Sequence, residues 1–304
     1  MMNLTLRWYD RARLLFGHAL GLPLHHVYNL FPYLEFGLSS VEISRIECQH
    51  PSLAGRRAVH ITDLHLDRYQ PRHDRALETI ANLKPDWIFV TGDLLNVPDG
   101  LPHVFRFPSG LRDLAPVYLT LGNHDHYSGV PIHRFSEMAD RHKVTLLINQ
   151  SAFVPVGSGE LGIVGVDDPS LHRADLRCIP PQVPDRFTVL LAHAPNVLDH
   201  LDETHAINLV LCGHSHGGQW RIPHIRPFWL PYGCSGRVSG HYYRNGHRLY
   251  VNRGLGWSGL PVRFNCPQEI LMIDWTDSRE VEAKAEVKVE RAQGRPFSSS
   301  QPQP

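Results

Sequence analysis

Several apolar runs in this chain end on a carboxylate, an amide or an imidazole. Val59-His60-Ile61-Thr62 leads into Asp63-Leu64-His65, and Ile88-Phe89-Val90-Thr91 leads into Gly92-Asp93. Val117-Tyr118-Leu119-Thr120-Leu121 leads into Gly122-Asn123-His124-Asp125. Two later runs, Phe187 to Leu191 and Ile207 to Leu211, end in Ala192-His193 and in Cys212-Gly213-His214-Ser215-His216. One such residue alone would most often cap a helix or close a turn. Their recurrence in this order points instead to one shared centre. Oxygen and imidazole donors without thiolate suit hard to borderline divalent ions such as Mn2+, Fe2+ or Zn2+. There are more donors than one ion needs. Asp63, His65, Asp93 and His216 can enclose one ion, and Asp93, Asn123, His193 and His214 a second, with Asp93 shared. Two ions roughly 3.5–4 Å apart can hold a common water, lower its pKa and aim it in line at a phosphorus. The chemistry implied is hydrolysis by a metal-bridging hydroxide, without a covalent intermediate. Neutral ligands such as Asn123 and the histidines leave net positive charge, which an anionic phosphate offsets.

The elements that must position these groups can be read from the same pattern. The first three runs recur about every 30 residues, the length of a strand-helix-strand unit. Parallel neighbours would align Asp63, Asp93 and Asn123 along the sheet edge where α/β folds keep their sites. Helical spacing of Ala76, Leu77, Ile80 and Leu83 predicts a helix over Asp74 to Leu83, ended by Pro85, and a further helix is predicted over Pro131 to Lys143. Residues 41 to 47, Val144 to Ile148, Phe153 to Val156, Ile163 to Val166, His247 to Val251 and Glu269 to Ile273 are strand candidates, with Gly157-Ser158-Gly159 as a hairpin signal.

Composition narrows the function classes. A chain of 304 residues that is 42% hydrophobic can bury a substantial core. Its formal charge of zero offers no basic excess for a nucleic-acid partner. The five cysteines form no C-x-x-C pair, so neither a disulfide framework nor a thiolate zinc site is indicated, and a reducing compartment fits. Residues 1 to 40 place Trp8, Ala12, Leu15, Phe16, Ala19 and Leu20 at helical spacing, apart from Arg7, Arg11 and His18. The most apolar window, Leu14 to Leu34, holds His18, Pro23, His25, His26 and Asn29, which argues against a spanning helix. Two readings stay open: peripheral membrane contact through residues 1 to 36, or a helix packed on its own domain. The catalytic domain is expected over residues 41 to 276, followed by a polar, disordered tail from 277 to 304.

The set Asp63-Leu64-His65, Gly92-Asp93, Gly122-Asn123-His124-Asp125, His193 and Gly213-His214-Ser215-His216 resembles the calcineurin-like metallophosphoesterases, from about residue 57 to 275. The resemblance implies an α/β, four-layer αββα sandwich with a dimetal site at the strand ends. It also implies that His124 contacts the substrate phosphate, stabilising charge or protonating the leaving group, with Asp125 helping to position it. Protein Ser/Thr phosphatases of this superfamily carry Gly-Asp-x-x-Asp-Arg-Gly, whereas here Leu94-Leu95-Asn96-Val97 follows Gly92-Asp93. The aspartate partner of the catalytic histidine is therefore missing at position 96, which argues against phosphoprotein substrates.

Gly213 to Gln219, Val251 to Gly256 and Gly259 to Phe264 are similar to a small bacterial branch whose members are often membrane-associated phosphodiesterases. Some of these hydrolyse UDP-2,3-diacylglucosamine to lipid X and UMP in lipid A synthesis. Two divalent ions are expected, Mn2+ first with Fe2+ or Zn2+ as alternatives, with a phosphate-containing lipid or small molecule as substrate and a cytoplasmic location, peripheral on the inner membrane. Between Trp220 and Arg244, the substrate-binding candidates are Arg221, Arg226, Trp229, Arg237 and Tyr242, alongside Phe228, Tyr232 and Tyr243. Arginines there could grip a second phosphate while aromatics cover acyl chains or a base. Alternatively, the aromatics pack a sheet and the arginines are solvated. Two competing functions are a soluble nucleotide or broad-specificity phosphodiesterase and a catalytically inert metal-binding scaffold.

Overall fold

Val59 and Ile61 face one side of their strand and Ala58 the other, while Ile88 and Val90 oppose Trp87 and Phe89 in the next; all are buried. Strands buried on both faces must lie inside a layered stack. The computed structural model describes residues 41–221, 225, 227, 229–259 and 263–277. The expected N-terminal segment, residues 278 to 304 of the expected tail, Arg226 and Phe228 lie outside the described residues.

The strands in chain order are β1 (Val41–Gln49), β2 (Arg57–Ile61), β3 (Trp87–Thr91), β4 (Val117–Thr120), β5 (Thr145–Leu146), β6 (Gln150–Val156), β7 (Gly159–Gly165), β8 (Arg186–Leu191), β9 (Leu209–Cys212), β10 (Gly240–Arg244), β11 (His247–Val251) and β12 (Gln268–Thr276). They form two six-stranded sheets, ordered β1-β12-β2-β3-β4-β5 and β10-β11-β9-β8-β7-β6. β2 to β5 are mutually parallel, as are β7, β8, β9 and β11, while β6, β10 and the β12–β2 pairing are antiparallel. In register, Val90 pairs with Ile61 on one side and Leu119 on the other, so the three runs end at one edge of the first sheet.

The helices are α1 (Pro71–Leu83), α2 (Leu101–Arg112), α3 (Asn123–Tyr127) and α4 (Ile132–His142). α1, α2 and α4 lay Ile80, Val104, Phe105, Leu111, Phe135 and Ala139 on the outer face of the first sheet. The space between the sheets is filled by Phe89, Leu161, Val189, Leu211, Leu271 and Trp275. Trp275 stands edge-on to Trp87 and Phe187, with centroids 5.8 and 5.6 Å away, a favourable aromatic geometry. The far face of the second sheet is covered by short 3-10 turns and connecting segments carrying Leu176, Val197, Leu198 and Leu201. Among the described residues, that outer layer is made of turns where the layer over the first sheet is made of helices.

α2 is the element the sequence conceals. Pro102, Pro108 and Gly110 read as breaks, yet Pro108 is inside the helix. Its ring removes one backbone donor, but Val104, Phe105, Phe107, Pro108 and Leu111 are all buried, and that burial holds the turn together. Gly110 faces Leu77 of α1 so closely that an added Cβ would meet its Cδ1 at 2.8 Å, which lets the two helices approach.

Candidate metal centre

The ends of β2, β3 and β4 meet those of β8 and β9, and two clusters of ligand atoms form there. One comprises Asp63, His65, Asp93 and His216, the other Asp93, His193 and His214; within each, the donor atoms lie within 4.8 Å of one another. All six residues are buried. Nε2 of His65 and Nε2 of His216 face each other at 3.1 Å, and Nε2 of His193 faces Nδ1 of His214 at 3.0 Å. Asp93 Oδ2 lies 3.2 Å from His193 Nε2 and 3.6 Å from His65 Nε2, so one carboxylate oxygen reaches into both clusters.

Outer contacts fix how these rings present their lone pairs. His193 donates from Nδ1 to the Thr91 carbonyl at 2.8 Å, and His214 donates from Nε2 to the Tyr232 carbonyl at 2.7 Å. His65 donates from Nδ1 to Asn96 Oδ1 at 2.8 Å. In each case the other nitrogen is left with its lone pair turned inward, the arrangement seen for metal-ligating histidines. Asn123 adds an orphan: its buried Oδ1 has no hydrogen-bond partner, an arrangement that costs free energy unless an electrophile is bound. Facing lone pairs, two inward carboxylates and an unpaired amide oxygen fit a pair of divalent cations.

Electrostatics run the same way. Burial alone would raise the Asp93 carboxyl, but the surrounding charges of His193, His124 and His65 outweigh it and hold Asp93 well below the usual carboxylate range. Burial raises Asp63, partly offset by His193. Burial would lower His193, yet Asp93, Asp63 and Asp168 together hold it well above the ordinary imidazole value. Burial and the charge on His193 push His214 down to about 4, and burial with His65 and Arg263 lowers His216 further. The carboxylates thus favour positive charge among them, which a cation would supply in place of a proton on His193, while His214 and His216 stay neutral and available as ligands.

The backbone is bent to bring these atoms together. Asp63, His65, Asp93, His214 and His216 all have positive φ, between 44° and 69°. Such a conformation is uncommon for non-glycine residues and clusters at functional sites. Gly92, at φ 73°, must lack a Cβ, which would otherwise strike the Gly122 backbone and His193 Nδ1 at 2.6 and 2.7 Å.

The remaining expected residues take distinct places. His124 is half-buried, its ring 4.8 Å from that of His65, and its backbone N–H donates to Asp93 Oδ1 at 2.8 Å. Asp125 is fully buried and accepts from the backbone N–H groups of Leu94, Leu95 and Gly122, bracing the turn that carries Asn123 and His124. Burial and the nearby Asp93 charge raise its carboxyl to about 7. Arg237 is bound to Asp199 through both terminal nitrogens, at 3.0 and 2.6 Å, and the Tyr242 hydroxyl accepts from the Val238 N–H. The Arg237 guanidinium is thus engaged by Asp199, the Tyr242 hydroxyl keeps its own proton to donate, and both hold the loop whose Tyr232 and Val238 carbonyls engage His214 and Ser215. Arg221 is half-buried beside Ser239, and Trp229 is exposed.

Some supporting residues carry no motif. Arg263, buried, donates to the carbonyls of Arg253, Gly254 and Gly256, tying together a loop whose Leu255 and Gly256 N–H groups bond Thr62 and Asp63. His126 meets Asp167 at 2.6 Å, linking the α3 turn to the end of β7 and so the first sheet to the second.

The model of the calcineurin-like phosphoesterase family matches residues 56–218. A metallophosphoesterase of Bacillus subtilis, YkuE, is 33% identical over 223 residues, covering 71% of this chain and 77% of that protein. A second B. subtilis metallophosphoesterase, YkoQ, is 26% identical over 70% of this chain and 80% of its own length. Phosphodiesterase YaeI of Escherichia coli is 26% identical over 270 residues, 87% of this chain and 98% of that protein.

Proposed function

This chain belongs to the calcineurin-like phosphoesterase family, and on that premise we propose that it is a dimetal phosphodiesterase acting on an amphiphilic phosphodiester or pyrophosphate. It is a metal-dependent hydrolase. The observation that carries the dimetal reading is the single Asp93 oxygen that reaches both ligand clusters. Asp63, His65, Asp93 and His216 would hold one ion and Asp93, Asn123, His193 and His214 the other. When bound, such ions supply a water-derived nucleophile at neutral pH and compensate charge on the phosphate. Mn2+ suits this oxygen and imidazole set.

The chain's own residues do the rest. His124, half-buried with its ring 4.8 Å from that of His65, would meet a phosphate oxygen or the leaving group, and Asp125 fixes the turn from which it projects. The segments that follow His216 in the chain expose large apolar side chains. Trp220, Trp229, Tyr232 and Phe264 are each between 48% and 65% exposed, Tyr232 sits on the carbonyl that orients His214, and Trp220 bridges to Phe264. An apron of this kind favours a substrate with acyl chains or a base beside its phosphate. The resemblance to phosphodiesterases and this apron support UDP-2,3-diacylglucosamine as the concrete candidate, at a membrane surface. Among the described residues, no helix is long and apolar enough to cross a membrane.

The test pairs two substrates under Mn2+. Bis-p-nitrophenyl phosphate reports the chemistry, and UMP release from UDP-2,3-diacylglucosamine reports the substrate. Trp229→Ala is expected to raise KM for the lipid and leave KM for the small diester unchanged. Hydrolysis of the small diester without UMP release removes the lipid substrate and favours a soluble nucleotide or broad-specificity phosphodiesterase. No hydrolysis of either by metal-loaded protein favours the inert scaffold.

A further inference from the structure

Resting on the dimetal reading, we infer that Asn96, locked by Asp67, is a positioning residue that selects the ligating tautomer of His65 and so sets the affinity of one of the two metal sites. Position 96 lies three residues past Asp93, in the loop after β3. Asn96 does not turn to His124. Its Oδ1 accepts from His65 Nδ1 at 2.8 Å, leaving His65 Nε2 to face His216 and Asp93. The opposite tautomer would aim an N–H into that cluster and expel a cation.

An asparagine could flip and present its NH2 to the ring instead. Here it is held. Asn96 Nδ2 donates to Asp67 Oδ2 at 2.9 Å, while Asp67 Oδ1 accepts the backbone N–H groups of Asn96 and Val97 at 2.7 and 3.2 Å. Asp67 is therefore an acceptor for three donors and leaves only one orientation of the amide open. The chain Asp67, Asn96, His65 spans the loops after β2 and β3, so it also fixes their spacing. A carboxylate at 96 would set its oxygen against Asp67 Oδ2 where the Asn96 amide now donates at 2.9 Å, so the residue that protein phosphatases use at this position is incompatible with this loop.

The experiment measures Mn2+ binding by the full chain, using titration with metal analysis and the EPR signature of a spin-coupled manganese pair. Wild type is expected to bind two ions and show the coupled signal. Asn96→Ala is expected to weaken one of the two sites 10- to 100-fold and, at two equivalents of Mn2+, to give the uncoupled six-line spectrum. Asn96→Asp alone should do the same, whereas the exchange Asp67→Asn with Asn96→Asp restores a donor facing an acceptor and should regain the coupled signal. Both affinities within twofold of wild type in Asn96→Ala overturn the inference. So does a folded double variant that regains nothing. Absence of a coupled pair in wild type would instead sink the dimetal reading on which it rests.

Discussion

Asp93→Asn is the sharpest probe of the shared carboxylate. The amide keeps its carbonyl oxygen to accept the His124 N–H now bonded at 2.8 Å, so the turn is preserved. It replaces the oxygen lying 3.2 and 3.6 Å from His193 and His65 with an NH2 that cannot ligate. Ligand binding at about 100 times Kd stabilises a fold by about 2.7 kcal/mol per site, so two sites give about 5 kcal/mol. A domain of this size shifts its Tm by about 2–4 °C per kcal/mol, and Mn2+ should therefore raise the Tm of wild type by about 10–20 °C over the EDTA-treated protein. His216→Asn touches one cluster and should leave about half of that shift. Asp93→Asn should abolish it, read by differential scanning fluorimetry with and without Mn2+. If Asp93→Asn retains half the shift, Asp93 serves only one ion and the two-cluster account fails.

Arg237→Ala should lower the Tm by several degrees, because it leaves Asp199 facing only Arg244 and Ser235 and frees the loop on His214, while KM for bis-p-nitrophenyl phosphate stays unchanged. A raised KM at unaltered Tm would return Arg237 to the substrate. A pH effect should arise far from the centre, at His73, which burial and the adjacent Arg72 push down to about 3 from an ordinary 6.5. Since the unfolded chain takes up a proton that the folded chain refuses, the contribution of His73 is full well above pH 6.5 and is lost as the pH drops towards 3, with about 2 kcal/mol gone by pH 5. His73→Gln should make that slope shallower in urea melts, leaving the part owed to His60, His214 and His216, and an unchanged slope would refute the assignment.

How much of this was legible in the sequence differs by element. The strand tips were readable because an apolar run leading to Gly-Asp, Gly-Asn-His-Asp or Gly-His-Ser-His is a local signal, and the parallel register of β2, β3 and β4 follows from it. α2 was hidden because the burial of Phe105, Phe107 and Leu111 overrides the local preferences of Pro108 and Gly110. Position 96 was flagged as lacking a carboxylate, but its true partner, His65, stands on another loop and emerges only in three dimensions. Arg237 looked like a phosphate ligand by composition, and its partner Asp199 lies 38 positions away, beyond any local pattern. Arg263 lies in the stretch Gly259 to Phe264 that carries the branch resemblance, but its bracing role was not legible there, since its partners are backbone carbonyls.

The left-handed backbone at Asp63, His65, Asp93, His214 and His216 has a practical consequence for anyone wishing to empty the centre and keep the scaffold. Alanine there would strip the ligand yet retain a torsion costing about 1–3 kcal/mol. Glycine, ordinarily the disruptive choice inside a folded segment, would strip the ligand and the torsional penalty together, against only about 0.4–1 kcal/mol of added freedom in the unfolded chain. The gentlest knockouts of this enzyme should therefore be the substitutions most often avoided.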